Sequence, residues 1–376
     1  MRPAGGHPLM ADAWPTEPAM LLQDLLGTVL PIIQAPMAGV QGHALAAAVS
    51  QAGGLGSLPG AMLTPAALRA ELVALTALTD RPYNVNFFCH ETPAADAPAQ
   101  AAQAAWLALL APYFAELGVH ATALPAGAAR APFSAEAADV LADFQPPVVS
   151  FHFGLPAPAL LARIKAWGAT VLASATTVDE ALWLAAHGAD AVIAQGLEAG
   201  GHRGHVLHHD LSAQMGTLAL LPQVVAALAA DRPGAAAIPV IAAGGIADAA
   251  GVAAARALGA AGVQVGTAYL LCDEATTSAP HRAALLSEAA RHTALTNLFT
   301  GRPARGIVNR FMRELGLLHP GAPAFPLAAA AVAALRAAAE RQGSGDFSPL
   351  WAGQNTRSCR AVPAAVVTRA LAAGWS

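Results

Sequence analysis

The chain is predicted to fold as a (β/α)8 TIM barrel, an α/β architecture with extra helices inserted after strand three and a C-terminal helical lid or subdomain. Three observations predict it. Eight short apolar runs alternate with Ala/Leu-rich stretches between about residues 30 and 290, the run ends recur at a near-constant interval, and glycine marks the return to each new run. Alternating strand and helix implies parallel strands, because a parallel return needs a crossover about as long as a helix.

The expected strands are residues 31–35, 54–57, 83–87, 148–151, 170–173, 191–194, 240–242 and 262–265. Crossover helices are expected at 44–52, 65–78, 158–167, 178–187 and 247–258. Strand ends near Phe151, Ala173 and Gln195 fall 22 residues apart, and those near Ala242 and Val265 fall 23 apart. A strand, a loop and a three-turn helix use about that many residues. Gly168, Gly188 and Gly259 each follow a helix, where the left-handed conformation that ends a helix suits glycine. Eight units point to a closed barrel rather than an open sheet.

Two regions depart from the repeat. Residues 88–146 are too long for one crossover and are expected to add helices outside the barrel. Residues 291–376 follow the eighth strand, with helical stretches at 327–341 and 363–373, and are expected to pack beside the barrel mouth. The division is therefore a leader at 1–20, expected to be disordered, a barrel at 21–290 and a carboxyl-terminal subdomain at 291–376.

Composition limits the function. Of 376 residues 55% are hydrophobic and only 12% charged, which suits a large globular core. A formal charge of −4 with few lysines argues against a nucleic-acid partner. Three cysteines without metal-like spacing indicate a reducing compartment and no disulfide framework. Residues 1–20 lack the apolar core of a secretory signal, and Met10 or Met20 could be the true start. The uncharged stretches 97–115 and 211–230 carry Gln and Pro, which argues against a membrane span. The protein reads as cytoplasmic.

In such a barrel the active site lies at the carboxyl ends of the strands. Those ends read Gln34-Ala-Pro-Met-Ala-Gly39, Asn84-Val-Asn-Phe87, Ser150-Phe-His-Phe-Gly154, Gln195 through His202, Ala242-Ala-Gly-Gly-Ile246 and Gln264-Val-Gly-Thr267. Gly244-Gly245 and Gly266-Thr267 each open a helix, so main-chain N–H groups there can approach a phosphate; the alternative is that they only make tight turns. Asn86 and Gln195 offer the donors and acceptors a flavin's pyrimidine edge requires, or else satisfy nearby backbone. His152, between Phe151 and Phe153, is placed as a neutral general base, or else is a satisfied core histidine. His202, His205, His208, His209 and Asp210 suggest a metal site. However, flanking glycines fix no ligating face, and a glycine-hinged covering loop is the preferred reading.

These strings, with Phe299-Thr-Gly-Arg-Pro-Ala-Arg-Gly306 and Leu350-Trp-Ala-Gly-Gln354, resemble the motifs of the nitronate monooxygenases, formerly called 2-nitropropane dioxygenases. The similarity runs from about Leu25 to Leu371. It implies an FMN enzyme that oxidises alkyl nitronates, such as propionate-3-nitronate, with dioxygen to a carbonyl compound and nitrite. It implies FMN contacts from Asn86, Gln195, Gly200, Gly245, Gln264, Val265, Gly266 and Thr267, with Gly244 and Met37 adjoining. No metal is implied. His152 matches the active-site histidine, which orients the nitronate or takes the alpha proton of a neutral nitroalkane. The Ser150–Gly154 string resembles the class that needs no NAD(P)H. No Tyr follows Tyr269, so an aromatic hydroxyl expected near the substrate is absent or replaced by Trp351. A monomer or homodimer is expected. The rival readings are an NAD(P)H-dependent flavin reductase of quinones or enoyl thioesters, a flavin-holding protein without turnover, and a metal-dependent hydrolase built on the histidine loop.

Overall fold

The structure is a computed structural model that describes residues 21–120, 130–231 and 237–375. The leader expected at 1–20 lies outside the described residues. In chain order the elements are α1 (Leu22–Leu26), β1 (Ile32–Gln34), α2 (His43–Gln51), β2 (Gly56–Pro59), α3 (Pro65–Leu78), β3 (Tyr83–Phe88), α4 (Ala97–Glu116) and α5 (Ala135–Phe144). There follow β4 (Val148–His152), α6 (Pro158–Ala166), β5 (Thr170–Ala175), α7 (Val178–Ala186), β6 (Ala191–Gln195), β7 (Gly201–His202), α8 (Thr217–Asp231) and β8 (Val240–Ala243). The chain ends with α9 (Ala249–Ala257), β9 (Gly262–Val265), α10 (Ala279–Leu285), β10 (Thr293–Thr296), β11 (Ala304–Ile307), α11 (Arg310–Leu315), α12 (Ala329–Arg341) and α13 (Ala364–Ala372).

Eight parallel strands run in the order β1-β9-β8-β6-β5-β4-β3-β2. A parallel bridge between Ile33 and Leu55 joins the two ends of that order. There the Leu55 amide donates to the Ile32 carbonyl at 2.8 Å, and the Gln34 amide donates to the Leu55 carbonyl at 3.0 Å. The barrel is therefore closed, as eight alternating units imply. Each of the eight expected strands corresponds to one observed, within two residues at either end.

Side-chain parity divides the core. Successive strand residues face opposite sides. Ile33, Leu55, Val148, Leu172, Ala191, Ile193 and Ile241 meet inside the barrel, and Leu22 and Leu26 of α1 pack with them. The alternate residues Ile32, Val192, Ala194, Val240, Ala242 and Val263 face the helices. Helix starts follow local chemistry: Thr64, Asp96, Ser134, Thr177 and Asp248 each accept an amide of the first turn of α3, α4, α5, α7 and α9.

The two irregular regions are resolved by packing. Helix α5 lies against α3 and α6 and serves as the third crossover, whereas α4 leaves the ring. Trp106, Leu110 and Phe114 of α4 share one buried cluster with Phe311 and Met312 of α11 and Val332 and Leu335 of α12. The insertion and the carboxyl-terminal region therefore form one body of packing. Helix α13, expected with that region, instead packs against α2 and α9, in the place of the eighth ring helix. Three short antiparallel strands, β10-β11-β7, were not foreseen in the sequence. Pro112 and Pro222 lie inside α4 and α8 and do not break them. Among the described residues no helix is long and apolar enough to cross a membrane.

Leu172 is fully buried at the centre of the barrel interior. Leu172→Ala is expected to cost about 2–5 kcal/mol. Denaturant unfolding should show a lower midpoint with an unchanged slope.

Candidate active site

The parity that fills the lower barrel with aliphatic residues makes its upper end polar. Continuing the inward series upward from Val148, Leu172, Ile193 and Gly262 gives Ser150 and His152, then Ser174, Gln195 and Gln264. With Asn86 these side chains line a cavity at the carboxyl ends of the strands. The other residues expected in the site, Met37, Gly200, Gly244, Gly245, Val265, Gly266 and Thr267, line the same cavity. So does Trp351.

His152 ends β4 half-buried beneath aromatic rings, with centroids 4.5 Å from Phe153 and 6.0 Å from Phe88. Its Nε2–H donates to the His202 carbonyl at 3.2 Å. A carbonyl can only accept, so the neutral ring carries its hydrogen on Nε2 and the lone pair on Nδ1. Burial, with added repulsion from Arg302, pushes the imidazole down to about 3, and the bond to His202 opposes that shift only in part. Phe153 has a positive φ of 70°, rare for a side chain of its kind, and its ring lies under the Arg302 guanidinium at 3.9 Å.

The carbonyl that holds His152 is itself held. Gln195 Nε2 donates to the same His202 oxygen at 3.0 Å, and Gln195 Oε1 accepts the Gly204 amide at 2.8 Å. One side-chain amide thus fixes both ends of a short strap, 202–204, laid over the imidazole. Gly204 passes so close that a Cβ there would come 2.7 Å from His152 Cε1. Of the two roles considered for Gln195, the backbone role is satisfied directly, while its second Nε2 hydrogen remains for a ligand.

Strap 200–210 is anchored rather than hinged, which corrects the expectation of a glycine-hinged loop. β7 pairs with β11, placing His202 opposite Ala304. Arg203 is fully buried and donates to Gln214 Oε1 and to the carbonyls of Gly196 and Gln195, so it faces away from the cavity. Glu180, buried at the start of α7, accepts the amides of Val206 at 2.6 Å and Leu207 at 3.2 Å. Its other oxygen accepts the amide and hydroxyl of Thr176. Histidines 205 and 209 pair with each other at 2.7 Å, and His202 pairs with Thr300. Among the described residues no group of three or more His, Cys, Asp or Glu could hold a metal ion.

The opposite end of the cavity is made of main chain. Gly244 and Gly245 adopt positive φ of 120° and 72° before α9. Gly266 and Thr267 start a single 3₁₀ turn, not the longer helix expected there. Among the described residues the amides of Gly244, Gly245, Gly266 and Thr267 donate to no protein acceptor. The segment around Trp351 crosses here: Asn355 Nδ2 donates to the Gly245 carbonyl, and the Gly353 amide donates to Thr267 Oγ1. Gln264 Oε1 is buried without a partner.

Sequence reasoning missed three polar lining residues. Arg130, Asn355 and His281 line the cavity from outside the strand ends, and Arg302, from the segment before β11, lies over the Phe153 ring. No periodic or glycine signal marks them. Burial raises the Cys89, Cys272 and Cys359 thiols well above their usual range, so all three stay protonated.

The closed (β/α)8 barrel thus sets a neutral imidazole packed by aromatic rings and a run of main-chain amides without protein acceptors in one cavity at its strand ends. Residues 19–371 match the nitronate monooxygenase family. Nitronate monooxygenase of Paraburkholderia phytofirmans is 43% identical over 366 residues, covering 93% of each chain. That of Pseudomonas aeruginosa is 44% identical over 362 residues, covering 92% of this chain and 96% of its own. The solved structure of nitroalkane oxidase from Streptomyces ansochromogenes superposes with a TM-score of 0.83 at 42% identity, covering 94% of this chain and 97% of that one. The chain belongs to the nitronate monooxygenase family and is an enzyme of that family.

Replacing Glu180 by Gln turns one acceptor into a donor facing donors. The loss of a charged hydrogen-bond acceptor is worth about 1.5–3 kcal/mol. Hydrogen exchange at Val206 and Leu207 is expected to accelerate about tenfold or more, with β1–β4 amides unchanged.

Proposed function

We propose that the enzyme binds FMN and oxidises alkyl nitronates, propionate-3-nitronate among them, with dioxygen to a carbonyl compound and nitrite. The observation that carries this reading is the opposition of two ends of one cavity: unpaired main-chain amides at Gly244–Gly245 and Gly266–Thr267, and the His152 imidazole across from them. The donor set fits a flavin mononucleotide. Four free N–H groups and no lysine suit a tethered phosphate monoester. The unpartnered Gln264 Oε1 and the remaining Gln195 hydrogen suit a ring with both donors and acceptors. Asn86 Nδ2 is engaged by Ser150, which leaves its carbonyl oxygen for the same edge. When bound, FMN supplies the electron transfer between nitronate and dioxygen.

The chain's own residues do the rest. Rings of Phe88 and Phe153 pack against His152, and Phe325 packs on both, which limits its contact with water. Neutral His152 presents the lone pair of Nδ1, which takes the alpha proton of a neutral nitroalkane, while an existing nitronate is only oriented. Arg302, held over Phe153, keeps positive potential beside the developing anion. We place the enzyme in the cytoplasm, as a monomer or homodimer.

Purified protein should carry a yellow visible spectrum and release nitrite with oxygen uptake from propionate-3-nitronate, at a rate indifferent to NADH. A colourless protein that takes up no added FMN, or bleaching by NADH under anaerobic conditions, would overturn this assignment. His152→Asn should retain FMN while kcat/KM for nitroethane falls by roughly two orders of magnitude or more. Because burial lowers His152 to about 3, its acid limb in a kcat/KM profile should lie well below the ordinary histidine value. Above that limb the neutral base persists, so activity assigned to this group holds as pH rises. A limb centred near 6.5 would show that the imidazole is solvated.

A further inference from the structure

We propose that Arg130 is a specificity-determining residue of this site: its guanidinium receives a carboxylate carried on the substrate's carbon chain beyond the nitro-bearing carbon. The proposal rests on the nitronate reading given above and adds the residue that selects among nitronates.

Arg130 enters the cavity from the segment before α5, which no strand end supplies. Among the described residues it is the one Arg or Lys in the cavity lining, and no Asp or Glu lines it. No described carboxylate lies within ion-pair distance of it, and the preceding residues 121–129 contain no acid. Burial, with repulsion from Arg336, lowers its guanidinium, and no carboxylate acts in the other direction. An arginine partly withdrawn from water without a counter-charge is costly, unless a ligand provides one. Arg302 does not line the cavity; it is stacked on Phe153 and donates to the His205 carbonyl.

The surroundings match an anion. His90 is only 6% exposed, and neither of its ring nitrogens has a partner. It stands edge-on to Phe325 at 4.7 Å, and His202 stands on the same ring at 5.4 Å. Burial lowers both imidazoles, helped most by Arg302 at His90, where the Arg130 backbone opposes the shift, and by the Arg130 charge at His202; both rings are therefore neutral and leave Arg130 as the cation. Planar bidentate pairing with a carboxylate is the geometry a guanidinium is built for. A nitronate lying against His152 with a short chain toward Arg130 would satisfy both ends at once.

The test uses the full-length, FMN-loaded enzyme and two nitronates of equal length, propionate-3-nitronate and propyl-1-nitronate. Arg130→Met should lower kcat/KM for propionate-3-nitronate by about 10- to 100-fold, mostly through KM, and change that for propyl-1-nitronate less than about twofold. Arg130→Lys should recover much of the discrimination, since it restores the charge without the fork. Anaerobic calorimetry with 3-nitropropionate gives a readout without turnover, and Arg130→Met should weaken its binding by about tenfold or more. Equal losses with both nitronates, or no loss with either, would overturn the proposal. If wild-type enzyme oxidised neither nitronate, the functional reading would fall on its own. The binding measurement would still decide Arg130, because unchanged 3-nitropropionate affinity in Arg130→Met removes it.

Discussion

The site depends on one backbone interaction, the antiparallel pairing of β7 with β11. Two residues of β7 are enough to draw the His202 carbonyl over the barrel mouth. That oxygen then accepts from both His152 Nε2 and Gln195 Nε2. The pairing therefore sets the imidazole's tautomer. Arg305 on β11 reinforces it by donating to the Leu197 carbonyl at 2.8 Å. A barrel alone would present His152 on an open strand end, free to rotate and to protonate; the β7 strap fixes the ring and helps hold it neutral.

The electrostatics of the cavity follow from the same closure. Packing the rings of Phe88, Phe153 and Phe325 beside His152, His90 and His202 makes charge expensive there, and the response is graded by side chain. Imidazoles give up their protons, as at His152, His90 and His202, while arginines remain charged even where burial lowers them. The outcome is a cavity lined, among the described residues, by one guanidinium and by imidazoles that burial holds neutral.

The opposite end uses no charged side chain. Gly244 and Gly245 expose their amides because positive φ turns the main chain outward at the end of β8. From the carboxyl-terminal segment Asn355 holds that turn through the Gly245 carbonyl, and the Gly353 amide holds the neighbouring turn through Thr267 Oγ1. One region of sequence, spanning roughly 300–355, thus braces both ends of the cavity. It also rests on α4, through the shared packing of Trp106 and Leu110 with Phe311 and Leu335. This explains why a helix inserted far away in the barrel accompanies the carboxyl-terminal body: each covers the apolar face of the other.

The sequence by itself determined the barrel and the roster of its strand-end residues. Strand periodicity is local, so Asn86, His152, Gln195 and Gln264 could be placed at strand carboxyl ends without any contact being known. Glycine turns at 244–245 and 266–267 were legible for the same reason. Only the tertiary structure decided what these residues do to one another. That Gln195 braces a strap, that Arg203 turns away while Arg130 turns in, and that α13 completes the ring all depend on contacts between segments far apart in the chain. No periodicity or propensity encodes such contacts, because their energy exists only once the packed surfaces meet.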